Sequence, residues 1–128
     1  LTVKAFDVYN NMAVGDIEFV VAGNESLEID RVLNYPNPFV NYTEFWFQHN
    51  RPAEPLQVQV QILTVTGKIV KTINQIITTD GFLSRDITWD GKDDFGDRIG
   101  KGVYIYKLKV KSTITGQQAE KIEKLVIL

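Results

Sequence analysis

The stretch Leu56-Gln57-Val58-Gln59-Val60-Gln61-Ile62 carries the clearest fold signal in this chain. Four apolar residues alternate with three glutamines, and successive side chains of a β-strand point to opposite faces of a sheet. The stretch therefore predicts a strand with one face in the core and one in solvent. The same alternation over 104–111 sets Tyr106, Leu108 and Val110 against three lysines, which are typical of a strand protected from edge pairing.

Similar patterns extend in both directions along the chain. Turn-forming pairs such as Thr66-Gly67 and Asp90-Gly91 separate them, and no stretch of ten or more residues keeps a helical period. Short strands with a turn between each pair predict an all-β fold, an antiparallel β-sandwich. The predicted strands lie near 2–9, 16–22, 28–34, 43–49, 56–65, 68–77, 84–89, 103–112 and 119–127.

The composition around residue 24 changes, which predicts a linker at 23–26. Residues 27–128 then form a main domain of about seven strands, and residues 1–22 form the terminal β-hairpin of a preceding module. The alternative is one nine-stranded domain. Because the first residues already follow a strand pattern, we expect the chain to be part of a longer polypeptide. In isolation it is either a monomer or a strand-swapped dimer, since a hairpin without its module exposes edges.

Composition excludes several function classes. The 128 residues contain no cysteine and carry a formal net charge of −2. Thiol chemistry and thiolate metal sites are therefore absent, and no electrostatic attraction to nucleic acid is expected. The longest wholly apolar run, residues 125–128, is far too short for a membrane helix.

No catalytic, metal-binding or cofactor-binding residues are predicted. Four aspartates between Asp90 and Asp97 suggest calcium, but Lys92 stands where a ligand oxygen is expected, so turn capping is the preferred interpretation. His49 ends a strand and is interpreted as a surface residue. No nucleophile, base and stabilising group can be assembled.

Three aromatic and apolar features leave alternatives open. The prolines of Tyr35-Pro36-Asn37-Pro38-Phe39 predict a shaped turn whose Tyr35 and Phe39 close one end of the sandwich, and a docking ligand is the alternative. Trp46 points away from Phe45 and Phe47, into either a sugar-binding surface or a covering loop. The apolar end of the chain, 125–128, is covered either by its own sandwich or by a partner.

Taken in order, these motifs resemble a known family. The proline motif, Val58 to Ile62, Thr66-Gly67, Trp89-Asp90-Gly91 and Gly102-Val103-Tyr104, with a basic and apolar last strand, resemble the immunoglobulin-like C-terminal domains of type IX secretion cargo. Such domains are similar to the immunoglobulin-like module of the flagellar hook-capping protein. They also occur at the C-terminus of gingipain-like C25 peptidases and of the type IX sortase.

The resemblance implies a non-catalytic sorting domain that directs an exported protein through the periplasm to the outer membrane and cell surface. Its implied partners are the type IX translocon and an outer-membrane shuttle protein, with no nucleic acid and no small-molecule substrate. A carbohydrate-binding module or a structural spacer of a secreted enzyme is the alternative. The implied recognition residues are Gly100, Gly102, Tyr104, Lys121, Lys124, Leu125, Val126, Ile127 and Leu128, and the implied processing region is Ala22, Gly23 and Asn24.

Overall fold

The structure is a computed structural model that describes residues 26–128, and it confirms the antiparallel β-sandwich. Seven strands form a three-stranded sheet of order β1-β2-β5 and a four-stranded sheet of order β4-β3-β6-β7. The predicted hairpin at 1–22 lies outside the described residues. The strands are β1 (Ile29–Tyr35), β2 (Thr43–His49), β3 (Leu56–Thr64), β4 (Ile69–Ile77), β5 (Leu83–Trp89), β6 (Gly102–Ser112) and β7 (Gln118–Ile127).

The two alternating stretches lie side by side at the centre of the larger sheet. β3 pairs with β6 from Leu56 opposite Ser112 to Thr64 opposite Tyr104. Each glutamine of β3 therefore faces a lysine of β6 on the outer surface. The prediction that these lysines protect an edge is wrong, because β7 pairs along the other side of β6 and makes it an internal strand.

The core lies between the inward faces of the two sheets. Phe45 and Phe47 of β2 are fully buried, as are Tyr106 and Leu108 of β6, and the rings of Phe45 and Tyr106 meet edge to face at 4.9 Å. Aromatic contacts of this geometry add to the stabilisation from burial itself. The prediction that the alternating apolar residues of the central strands face the core is thus confirmed.

The interpretation of His49 as a surface residue is wrong, since its side chain is 4% exposed. Its Nε2 lies 2.8 Å from Thr79 Oγ1, which donates to Gly81 O, and its Nδ1 accepts the Arg51 backbone N–H at 3.0 Å. These partners fix the neutral tautomer that carries its proton on Nε2. Burial lowers the pKa of His49, and the nearby Glu54 opposes that effect.

The strands run between two ends that we call the N-terminal pole and the C-terminal pole. At the N-terminal pole, Asn50 accepts the Glu28 N–H at 3.1 Å and donates to Ser26 O at 2.8 Å. Gln117 accepts the Leu27 N–H at 3.2 Å and also bonds Arg51. The C-terminal pole contains the ends of β1, β3, β5 and β7 and the beginnings of the other three strands.

No helix in the part of the chain described here is long and apolar enough to cross a membrane.

Candidate functional site

Four motifs that are far apart in the sequence meet at the C-terminal pole. They are the proline motif at 35–39, the Trp-Asp-Gly loop at 89–91, the beginning of β6, and the end of β7. β6 and β7 place Gly102 opposite Ile127 and Tyr104 opposite Leu125. The structure thus brings most of the two predicted groups of recognition residues together as neighbours on adjacent strands. Lys121 is the exception, because it lies opposite Leu108 in the first half of β7, away from this pole.

The proline motif covers the outer edge of β7. Asn37 behaves like a short piece of strand: its Oδ1 accepts the Val126 N–H at 3.0 Å and its Nδ2 donates to Lys124 O at 3.3 Å. The Phe39 N–H then donates to Val126 O at 3.1 Å, and the Leu128 N–H donates to Phe39 O at 2.9 Å. Four hydrogen bonds therefore satisfy a sheet edge that would otherwise be open.

Buried polar groups hold the proline motif itself in place. The Thr43 hydroxyl donates to Pro36 O at 2.9 Å and accepts from Asn34 Nδ2 at 3.1 Å. Both Thr43 and Asn34 are buried, so the bonds are shielded from water. The peptide bonds before Pro36 and Pro38 are both cis.

Phe39 closes the sandwich, but Tyr35 does not. Phe39 is 2% exposed and meets the Trp89 ring edge to face, with centroids 5.6 Å apart. Tyr35 is 60% exposed, so the prediction that it plugs the end of the sandwich is wrong. Its ring lies on the outer surface of the smaller sheet, 5.4 Å from that of Trp46, because the last residues of β1 alternate Tyr35 outward and Asn34 inward.

Arg98 fastens the loop after β5 to the proline motif. Its Nη2 donates to Val40 O at 2.6 Å and its Nη1 donates to Asp90 O at 3.2 Å. Gly91, with φ of 79°, passes close beneath: a Cβ there would lie 3.4 Å from Arg98 Nη2 and 3.6 Å from Phe39 Cε2. Glycine is therefore favoured by both the backbone angle and the space.

The beginning of β6 is shaped by its glycines. Gly102 has φ of 141°, which side chains disfavour although the space for a Cβ is open. The Tyr104 hydroxyl reaches back and donates to Gly100 O at 2.8 Å. This bond closes the connection that leads into β6 and sets Tyr104 beside the buried Leu125.

The predicted residues of the last strand divide into buried and exposed groups. Leu125 and Ile127 face the core at 0% and 4% exposure, and Val126 is half-buried under the cover of the proline motif. The apolar residues from Leu125 to Ile127 are therefore covered by the chain's own sandwich and not by a partner. Lys121, Lys124 and Leu128 remain exposed, and Leu128 retains 58% of its surface.

Two of the four aspartates, Asp90 and Asp93, cap turns within the loop in which they lie. Asp93 Oδ1 accepts the N–H groups of Phe95 and Asp97, each at 2.9 Å, and Asp90 Oδ1 accepts the Lys92 N–H at 3.1 Å. Asp94 accepts the Thr72 N–H at 3.3 Å. The turn-capping interpretation is thus confirmed for Asp90 and Asp93. Across residues 26–128 no three acidic or histidine side chains are grouped so as to hold a metal ion.

Trp46 lies half-buried in the middle of the outer surface of the smaller sheet. The Arg85 guanidinium lies 4.5 Å from the centroid of the Trp46 ring. The indole Nε1 of Trp46 donates to Glu44 Oε1 at 2.8 Å. Hydrogen bonds from Tyr42 and then Trp46 lower the pKa of Glu44. The indole is therefore occupied both on its ring and at its only polar atom.

The pole contains two residues whose roles the sequence did not reveal. Asn37 was part of a quoted motif, but its strand-like pairing with β7 depends on contacts 87 and 89 residues away in sequence. Arg98 sits in a loop without periodicity, and its partner Val40 is 58 residues distant. The predicted processing region, Ala22 to Asn24, lies outside the described residues.

One of three comparisons with known proteins found a match, and that match agrees with this architecture. No protein-family model matches the sequence, and no curated protein sequence matches it. Among solved structures, the chain is similar to the dimeric latent form of PorU from Porphyromonas gingivalis, with a TM-score of 0.72 and 30% sequence identity. The match covers 88% of this chain and 10% of the PorU chain. The chain thus spans about a tenth of the length of PorU, and both its fold and its sequence are similar to that part.

Proposed function

We propose that this domain is a non-catalytic C-terminal sorting and anchoring module of a protein exported by the type IX secretion system. The observation that carries the proposal is the convergence at the C-terminal pole. There the beginning of β6 and the end of β7, which carry the implied recognition residues other than Lys121, form one continuous surface with the proline motif. The likeness to part of PorU supports the type IX assignment.

The two poles separate the point where a passenger would be attached from the surface that a partner would bind. The described chain begins at the N-terminal pole, where Asn50 bonds Ser26 and Gln117 bonds Leu27. The last residue lies at the opposite pole, and β6 spans 11 residues between them. At a strand rise of roughly 3.3 Å per residue, the passenger is separated from the C-terminal pole by about 30 Å. A partner could therefore hold the C-terminal pole without contacting the passenger.

The geometry also indicates how a partner would read the last strand. The edge of β7 from Lys124 to Leu128 is already bonded to the proline motif, so a partner strand cannot add there. The exposed side chains of Lys121, Lys124 and Leu128 remain accessible. We therefore propose that the translocon and the outer-membrane shuttle protein recognise these exposed side chains.

The test is export of a fluorescent passenger fused to the full 128-residue chain, in a bacterium that has the type IX system. Deleting the last strand would be uninformative, because it would remove the buried Leu125 and Ile127. The informative variant combines Lys121→Gln, Lys124→Gln and Leu128→Gln, which change only exposed side chains.

A matched control changes the same residue types outside the last strand: Lys68→Gln, Lys92→Gln and Ile114→Gln, all exposed. Because Lys68 and Lys92 lie at the same pole, this control separates the last strand from the loops beside it. We expect the control fusion to reach the cell surface and the first variant to stay in the periplasm, folded and resistant to protease. Normal surface delivery of the first variant would refute recognition through these side chains. The size of the delivered passenger would also show whether the domain is removed or retained.

The two tryptophans give little support to the alternative that this domain is a carbohydrate-binding module. A sugar-stacking tryptophan needs an open ring face, and Trp46 has Arg85 over its ring and Tyr35 beside it. Trp89 is 3% exposed and packs against Phe39. Trp89 is therefore unavailable for stacking, and a glycan on Trp46 would have to displace the Arg85 guanidinium.

A further inference from the structure

The outer face of the four-stranded sheet carries an unusual combination of charges and amides. The register sets Lys107 opposite Gln61, Lys109 opposite Gln59, and Lys111 opposite Gln57. Lys124 lies on the same face, and Glu120 is the single acidic residue among the paired strand positions there. Four lysines minus one glutamate give this face a charge of +3, whereas the whole chain carries −2.

Most of this arrangement does not serve the stability of the sheet. Opposite charges placed directly across two strands stabilise a sheet, and of the three lysines of β6 only Lys109 has one, Glu120 on β7. Lys107 and Lys111 have uncharged residues opposite them on both neighbouring strands. The three lysines of β6 also repel one another, since alternate residues of a strand lie about 7 Å apart. In residues 26–128 no carboxylate lies within 4 Å of any of these lysines.

The centre of the face is a shallow depression of about 220 Å³ with a uniform lining. Its walls come from four amide side chains and two ammonium groups: Gln57, Gln59, Asn74, Gln118, Lys109 and Lys111. The lining includes neither a carboxylate nor an apolar side chain. Gln59 Nε2 donates to Asn74 Oδ1 at 3.2 Å, which holds two of the amides in a fixed row.

We propose that this face binds an acidic polysaccharide, with its carboxylates on Lys109 and Lys111 and its hydroxyl groups on the amide row. Amides both donate and accept hydrogen bonds, which suits hydroxyl groups, and ammonium groups suit carboxylates. The three lysines of β6 lie in one row along the strand, which gives an extended polymer a line of positive charge. This proposal does not depend on the export proposal, which concerns the C-terminal pole.

Other polyanions fit the face less well. A peptide strand cannot pair here, because β3 and β6 are internal and have no free backbone groups. The face has no arginine or aromatic side chain for nucleic-acid bases. Its exposed isoleucines, Ile76 and Ile122, lie on the outer strands, apart from the depression.

The experiment measures binding of the full chain to polygalacturonate oligosaccharides by calorimetry at low salt. Neutral dextran, poly-glutamate, duplex DNA and anionic lipid vesicles are the comparison probes. We expect binding to polygalacturonate that weakens as salt is raised, and no binding to dextran. Binding of poly-glutamate, DNA or vesicles as tightly as polygalacturonate would overturn the proposal, because charge alone would then explain the result.

Variants locate the site. Lys109→Gln with Lys111→Gln should weaken binding about tenfold or more, because it removes two charged hydrogen-bond donors. Gln59→Glu should abolish binding while preserving or raising the melting temperature, since it places a carboxylate opposite Lys109. Glu120→Gln should tighten binding.

The charge-matched control, Lys68→Gln with Lys92→Gln, lies in exposed loops and should bind like the original chain. Equal binding by the control and the Lys109/Lys111 variant would overturn the proposed site. Undiminished binding by folded Gln59→Glu would do the same. No detectable binding of polygalacturonate by the original chain would refute the ligand class.

Discussion

Removing the Asn37 side chain should loosen the end of β7 without unfolding the sandwich. Asn37→Ala deletes the acceptor for the Val126 N–H at 3.0 Å and the donor to Lys124 O at 3.3 Å. Each neutral hydrogen bond contributes about 0.5–1.5 kcal/mol, and these two lie at an exposed edge where water can replace them. We therefore expect a loss of about 1 kcal/mol in the free energy of unfolding.

Urea unfolding measures the global change, and amide hydrogen exchange locates it. The Val126 N–H should exchange about fivefold faster or more, since 1.4 kcal/mol corresponds to tenfold in an equilibrium constant. The Leu128 N–H donates to Phe39 O and should change much less. Asn37→Asp keeps the acceptor and should preserve most of the Val126 protection.

Asn41→Ala is the matched control, because Asn41 is exposed in the same connection between β1 and β2. It should leave both urea unfolding and Val126 exchange unchanged. If Asn37→Ala left Val126 exchange unaltered, the edge cover would not depend on the asparagine. The reasoning that a partner strand is excluded from Lys124 to Leu128 would then fail.

Three further changes test other parts of the structure. Phe39→Ala should cost about 3–5 kcal/mol in urea unfolding because it empties a buried site, whereas Phe95→Ala, at 90% exposure, should cost almost nothing. Gly102→Ala should cost about 1 kcal/mol or more because its φ is 141°, and Gly81→Ala, at a position without positive φ, should be close to neutral. Burial lowers the pKa of His49, so the unfolded chain binds more protons and stability should fall as pH drops below about 6.5. A stability curve that is flat across that range, or one that His49→Gln leaves unchanged, would contradict this assignment.

Local periodicity predicts the strands well because each has one face in the core. The seven strands predicted within the described residues match β1 to β7, and their ends differ by at most one residue. Turn residues at Gly67 and Gly91 have positive φ, which explains why they punctuate the pattern so clearly. The alternation also identifies the buried face of β6, since Tyr106, Leu108 and Val110 are all 0% exposed.

Burial at strand ends could not be predicted in the same way. Whether His49 or Tyr35 meets solvent depends on loops that are distant in sequence. Thr79, which bonds His49, is 30 residues away. Tyr35 points outward because of its parity within β1, while Phe39 fills the end of the core after two prolines. The position of β6 within its sheet likewise depends on topology, and periodicity contains no information about neighbours.

The apolar end of the last strand belongs mainly to the core. Its inward residues, Leu125 and Ile127, are required by the sandwich, so their apolar character alone indicates no partner. Its edge from Lys124 to Leu128 is bonded by Asn37 and Phe39, which removes that part of the backbone as a docking surface. What the fold leaves exposed are the side chains of Leu128, of Lys124 near it, and of Lys121 in the first half of the strand. A recognition role must therefore be tested at those exposed positions, because any change at the buried ones would alter folding and export together.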